Sequence, residues 1–233
     1  MNHAREIAMP SSIVVRPFRF LDREAIRQIS CDTALRGEPG TAFFADREIL
    51  ADALTRYFTD FEPESCFVAE EEGQIAGYIM GATNSRRMEK IFPWKIIVPL
   101  LGKALYRGTF LHLKNLQFLG SCLAGILRGE MRQPRFDQQF PSILHINLRK
   151  DFRGHGLGGK LISAFLAYLR DRKSPGVHLS TMSPQAGRFF EANGFQKLFV
   201  GKRSYFRPII GSDVPILIYG KYLEEKPLKR STT

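Results

Sequence analysis

The chain has 233 residues, 44% of them hydrophobic, and carries a formal charge of +11. That size suits one large domain, or one domain with an insertion, and the apolar fraction is enough for a sizeable core, which excludes a globally disordered chain. The excess of base attracts anions, whether nucleic acid, acidic lipid or a phosphate-bearing cofactor, and does not rank them; a solvated basic surface accounts for it as well.

Residues 1–11 read as a flexible leader without the apolar stretch of a signal peptide. A β-branched run at 13–15 predicts a strand. Asp22 is a plausible N-cap for a helix carrying Ile26, Ile29 and Leu35, and a second helix is expected over 46–61, with Ile49, Leu50, Leu54 and Phe58 on one face. Runs at 65–70 and 74–80 around Glu72-Gly73 predict a β-hairpin. The next stretch, 83–140, holds ten Lys/Arg against three acids, so +7 of the total charge lies there. Its apolar helix candidates cover 94–107 and 110–127. We read it as a helical insertion between two strands of a single domain spanning 12–223.

The strand pattern resumes at 143–148. An amphipathic helix follows at 156–172, with Leu157, Leu161, Ile162, Phe165 and Leu169 as its stripe. A strand at 177–180, a helix at 184–192 stopped by Asn193-Gly194, and strands at 197–201 and 214–219 complete the order. The polar tail, 224–233, is expected to be flexible. Strands with interleaved helices point to an α/β or α+β fold.

Cys31, Cys66 and Cys122 are odd in number and widely spaced, which argues against a disulfide framework or a zinc site and favours a reducing, cytoplasmic compartment. No uninterrupted apolar run approaches about 18 residues. The nearest, 91–127, is broken by Pro93, Lys95, Pro99, Lys103, Arg107 and Lys114. A spanning helix is not expected; a surface-lying one stays open.

The sharpest feature is Arg153-Gly154-His155-Gly156-Leu157-Gly158-Gly159-Lys160, between a strand and a strongly periodic helix. Glycines allow positive φ and close backbone approach, and a helix N-terminus offers unpaired N–H groups to a pyrophosphate. A phosphate loop of the GxxxxGK[ST] type is excluded, because Leu161 follows Lys160. Gly154, Gly156 and Gly159 fit GxGxxG literally, but the next strand ends without the acid that a dinucleotide site requires.

Arg153, Gly156 and Gly158 fit R/Q-x-x-G-x-G/A, which resembles the pyrophosphate-binding signature of the GNAT acetyltransferases. Ser183, Ala186, Phe190, Gly194 and Phe195 resemble the family's N-x-x-A-x-x-x-Y-x-x-x-G-F segment. The strings FPSILHINL and GVHL are similar to a subgroup whose strands read YPAHLHI and GVHL. The resemblance implies an α+β, three-layer fold with a mixed, mostly antiparallel sheet, flanking helices and one splayed strand pair. It further implies an acetyl-CoA-dependent N-acyltransferase without a metal, in which a primary amine of a small molecule, peptide or protein attacks the thioester directly. Carried onto this chain, it places the cofactor on Ile146, Asn147 and Leu148, on the turn of Arg153, Gly154, His155, Gly156, Leu157 and Gly158, and on Ser183.

Phe190 stands where the family often has a proton-donating tyrosine, and Ser183 where it commonly has asparagine. Tyr205 and Tyr219 are the substitutes considered for the acid. His145 and Asn147, on one strand face, are catalytic candidates; His145 and His178 serve equally as hydrogen-bonded core histidines. Asp137 is a candidate near the substrate cleft or a turn residue. The insertion's Phe92, Trp94, Tyr106, Phe110 and Phe118 form either a lid over the substrate or a helical hairpin packing on itself. The alternative function is a non-catalytic acyl-CoA-binding protein, or a basic adaptor docking on membrane or nucleic acid.

Overall fold

A computed structural model describes residues 13–223; the expected leader and tail lie outside them. Seven strands form one sheet, in the order β1 (Val14–Pro17), β2 (Phe67–Glu71), β3 (Gln74–Ala82), β4 (Ser142–Leu148), β5 (Gly176–Thr181), β7 (Val214–Tyr222), β6 (Gln196–Arg203). Every neighbouring pair is antiparallel except β4–β5, which is parallel. The expected hairpin is β2–β3, turning through Glu72 at φ 50° and Gly73 at φ 79°.

Helices α1 (Arg23–Asp32) and α2 (Arg47–Phe61) cover one face of the sheet; α6 (Leu157–Asp171) and α7 (Pro184–Ala192) cover the other. The whole predicted stripe of α6 is buried, with Leu161, Ile162, Phe165 and Leu169 in the second of these cores, each such side chain contributing about 1.5–3 kcal/mol. On the opposite face Ile26, Tyr57, Val68, Tyr78 and Met80 form the matching core.

Two helix starts separate local from tertiary control. Asp46, where the second helix was expected to start, caps α2, its Oδ1 accepting from Ile49 N at 3.3 Å. Asp22 precedes α1 but makes no side-chain cap. Its carboxylate instead receives two bonds from the Arg16 guanidinium, at 2.7 and 2.8 Å, and one from Arg19 N at 2.7 Å. A bidentate charge-assisted pair outcompetes a single cap bond.

The insertion forms α3 (Ser85–Phe92), α4 (Val98–Tyr106) and α5 (Leu113–Leu127). The helix expected over 94–107 is thus split: Pro93 and Pro99 lack N–H groups, and a π-turn, Pro93–Ile97, joins α3 to α4. The inner sides of α4 and α5 meet the loop before α2 and the β6–β7 connection, which contains the short helix α8 (Arg207–Ile210). Leu100, Phe118, Phe43, Phe44 and Phe206 make a third apolar cluster there. The insertion therefore does not pack only on itself.

Candidate active site

β4 and β5 pair only at Ser142–Val177 and Ile143–His178, then part. On its other side β4 stays paired with β3 from Ile143 to Leu148, and the ladder continues into Arg149 N→Ala76 O at 2.9 Å. In an antiparallel ladder a residue sends both backbone groups to the same side. Arg149, Asn147 and His145 therefore face β3 through their backbones, while Leu144, Ile146 and Leu148 turn theirs the other way; the Ile143–His178 bridge takes up the Leu144 N–H, and the edge opens from the Leu144 carbonyl onward. Of the cofactor groups expected at 146–148, Ile146 and Leu148 turn theirs to this side and Asn147 turns its own to β3.

The open edge leads into the glycine turn. Gly154 and Gly156 have φ of 89° and 76°. Gly156 is the N-cap of α6 and no side chain caps that end, so its first N–H groups and their partial positive charge are left for an anion. At Gly158 a Cβ would lie 2.7 Å from the Phe189 ring and 3.5 Å from Leu148 Cδ1, which brings the turn close against α7 and the end of β4. Leu157 is buried, and its side chain serves the core; His155 is exposed in the turn.

Arg153 is exposed and reaches back to both sides of this turn. Its Nε donates to Leu148 O at 3.2 Å and its Nη2 to Gly37 O at 3.1 Å. Gly37 belongs to a tight loop after α1, closed by Leu35 N→Glu38 O and Glu38 N→Leu35 O. Two of the five guanidinium N–H donors are thereby used, and among the described residues three stay free. Nothing in the sequence around Arg153 signals Gly37, 116 residues away.

A splayed parallel pair with an open strand edge, running into an uncapped glycine-rich helix start beside an arginine, is the arrangement the resemblance implied. A family model described as the Acetyltransferase (GNAT) family matches residues 34–195. The chain belongs to the GNAT acetyltransferase family.

The crystal structure of SsHAT is similar to it over 93% of this chain and 100% of the other, at 25% identity and a TM-score of 0.68. A Drosophila melanogaster polyamine N-acetyltransferase, which forms N-acetylagmatine, matches 91% of this chain and 100% of its own at 18% identity and TM-score 0.56. The putative acetyltransferase yncA from Salmonella typhimurium, solved with acetyl-CoA, matches 92% and 96% at 14% identity and TM-score 0.55. The last two share the fold.

Within this GNAT fold the side chains of His145 and Asn147 lie on the α1–α2 face, opposite Leu144, Ile146 and Leu148. Asn147 Nδ2 donates to Tyr78 OH at 2.8 Å and meets His145 Nε2 at 3.0 Å. With the amide so oriented, Nε2 accepts and the imidazole proton sits on Nδ1. Burial pushes the pKa of His145 down to about 4, so it is neutral at pH 7. Burial likewise pushes Tyr78 up to about 12. Tyr78, stacked on His145 with ring centroids 6.2 Å apart, was missed from sequence. It stands directly opposite Asn147 in the β3–β4 register.

The other candidates are held elsewhere. Ser183 Oγ caps α7, accepting from Ala186 N at 3.3 Å. Tyr205 packs on Phe118 and Phe206 in the third cluster, with its pKa raised by burial, and makes neither a hydrogen bond nor a ring contact with the His145 group. Phe190 is buried against Phe195 and Tyr219. Tyr219 OH donates to Glu191 Oε1 at 3.1 Å. Asp137 is paired with Arg86, whose hydrogen bond holds its carboxyl below the usual range. His178 Nδ1 donates to Phe140 O at 2.7 Å; burial lowers its pKa, against that bond. It ties the exit of the insertion to β5. Among the described residues no group of His, Cys, Asp or Glu could hold a metal ion.

Proposed function

We propose that this protein transfers an acetyl group from acetyl-CoA to a primary amine by direct attack. The observation that carries this reading is the parting of β4 and β5 after Ile143–His178, which leaves the Leu144 carbonyl, both Ile146 backbone groups and the Leu148 N–H on an open edge leading to the α6 N-terminus. The chain's groups fit the cofactor in order along that path: peptide groups for the pantetheine amides, then N–H groups and the three free Arg153 donors for the pyrophosphate. Acetyl-CoA supplies the acetyl group already activated as a thioester. The residues around it bind, orient and exclude water.

His145 brings no positive charge to repel an incoming ammonium. At a pKa of about 4 it is a weak base, and its Nε2 lone pair already meets Asn147. The chain's main contribution is therefore positioning, which by itself lowers a bimolecular barrier substantially. Phe190 has no proton to give, so the thiolate departs without help from that position. A CoA thiolate is a good enough leaving group for this. The acceptor is a primary amine of a small molecule, peptide or protein. A reducing, cytoplasmic compartment fits the three free thiols.

Titration calorimetry with acetyl-CoA, followed by thiol release across a panel of amines, tests this. Binding that Arg153→Ala weakens by about 1–3 kcal/mol is the expected result. An absence of binding heat would sink the reading.

A further inference from the structure

Among the described residues, the outer faces of α4 and α5 are apolar and uncovered. Trp94, Val98, Leu101 and Leu105 follow one another at helical spacing through the π-turn and α4, and all are at least half exposed. On α5, Leu116, Leu123 and Leu127 form a second such stripe, with Leu127 80% exposed. Only the inner sides of these helices are used, by Leu100, Ala104, Phe118 and Gly125. Monomers rarely leave so many adjacent aliphatic side chains in water without a partner surface.

The charge around this face is one-sided. From 90 to 129 the chain has no Asp or Glu and six Lys/Arg: Lys90, Lys95, Lys103, Arg107, Lys114 and Arg128. Lys90 and Lys95 are exposed and have no ion-pair partner among the described residues. Lys90 stands one helical turn before Trp94, on the same side as the first stripe.

We propose that the outer face of α4 and α5 docks flat on an anionic lipid surface. Aliphatic side chains with a tryptophan, flanked by lysines and free of acids, match the boundary between headgroups and acyl chains. Lys103, Arg107 and Arg128 are already paired with Asp52, Asp46 and Glu130; a second copy of the same face would set the unpaired Lys90 and Lys95 of each copy against a stretch, 90–129, that offers them no Asp or Glu. Nucleic acid would pair with the lysines and leave the leucines wet. Neither helix crosses a bilayer: at 9 and 15 residues they are about 14 and 22 Å long, and no helix among the described residues is long and apolar enough. Docking would hold the β6–β7 connection and the loop before α2 about one helix diameter, ~10 Å, from the headgroups, because Phe118 on the inner side of α5 packs on Phe43 and Phe206.

Co-sedimentation of the whole chain with vesicles tests this. Vesicles of equimolar phosphatidylcholine and phosphatidylglycerol should carry the protein down, and vesicles of phosphatidylcholine alone should not. Leu101→Glu/Leu105→Glu/Leu123→Glu changes only exposed positions; it should abolish sedimentation while its thermal melting and acetyl-CoA binding stay those of the wild type. Lys90→Gln/Lys95→Gln, which disturbs no packing, should bind about thirtyfold more weakly. Failure to sediment with either vesicle overturns the proposal, as does equal binding to neutral vesicles. Sedimentation equilibrium showing a wild-type dimer that the triple variant dissolves, without vesicle binding, assigns the face to a second copy and overturns it too.

Discussion

Gly156 and Gly102 offer the same substitution with opposite expected signs. Around both positions there is open space: a Cβ on either would meet nothing within 4 Å. Packing therefore cannot distinguish them, and backbone conformation must. Gly156 is the N-cap of α6 at φ 76° and ψ 0°, a region where an L side chain costs about 1–2 kcal/mol. Replacing glycine by alanine also restricts the unfolded chain, which returns about 0.4–1 kcal/mol. Gly156→Ala should therefore destabilise by about 1 kcal/mol, a fall in Tm of about 2–4 °C for a domain of this size. Gly102 lies inside α4, so alanine there should stabilise by about 0.5–1 kcal/mol. Gly156→Asn should cost less than Gly156→Ala, since asparagine tolerates the left-handed region and is a preferred N-cap. Urea unfolding of the three variants measures all three differences. If the two alanine variants shift the midpoint in the same direction, the account of the glycine turn as a conformational requirement is wrong.

The folded-state pKa of His145 is about 4, against a model-peptide value of 6.5. The unfolded chain thus takes up this proton first. The contribution is complete above about pH 6.5 and is lost as pH falls toward 4, up to about 2–3 kcal/mol; His145→Gln should flatten urea-derived stability across that window, and an unchanged slope would count against it. For the same reason the pH profile of kcat/KM should lack a limb at the ordinary histidine value. Asp52, on the buried side of α2, is paired with Arg27 and with Lys103 at 2.6 Å. Burial raises its pKa, but the hydrogen bonds from those cations prevail and hold it low. Asp52→Asn should cost about 3 kcal/mol in thermal or urea unfolding, because Glu48 still reaches both cations; a loss under half that would mean the pair is solvated. Burial pushes the thiols of Cys31 and Cys122 up to about 11 and that of Cys66 up to about 12. A disulfide reagent at pH 7 should therefore label the native protein slowly and all three cysteines once it is unfolded; rapid labelling of the native chain would contradict this burial.

The amino-acid sequence by itself determined whatever depends on neighbours along the chain. The glycine turn after a strand, the apolar stripe of α6, the Asp46 cap and the proline start of α7 are all governed by interactions within one or two helical turns or by local backbone freedom. Each is legible where it stands. The GNAT signature is legible for the same reason, since the binding of a pyrophosphate by a turn is itself local. Tertiary structure decided the rest. Which backbone groups of β4 face the cleft depends on a register with β3 some 70 residues away, and a shift of one residue would exchange Asn147 for Ile146. Tyr78 entered the His145–Asn147 group through that register alone. Arg16 drew Asp22 away from α1, and Gly37 occupied part of Arg153, through contacts no local pattern encodes. The helices of the insertion were visible from their apolar periodicity. Which side of them the third cluster would bury, and which it would leave in water, was settled only when Phe43, Phe118 and Phe206 met.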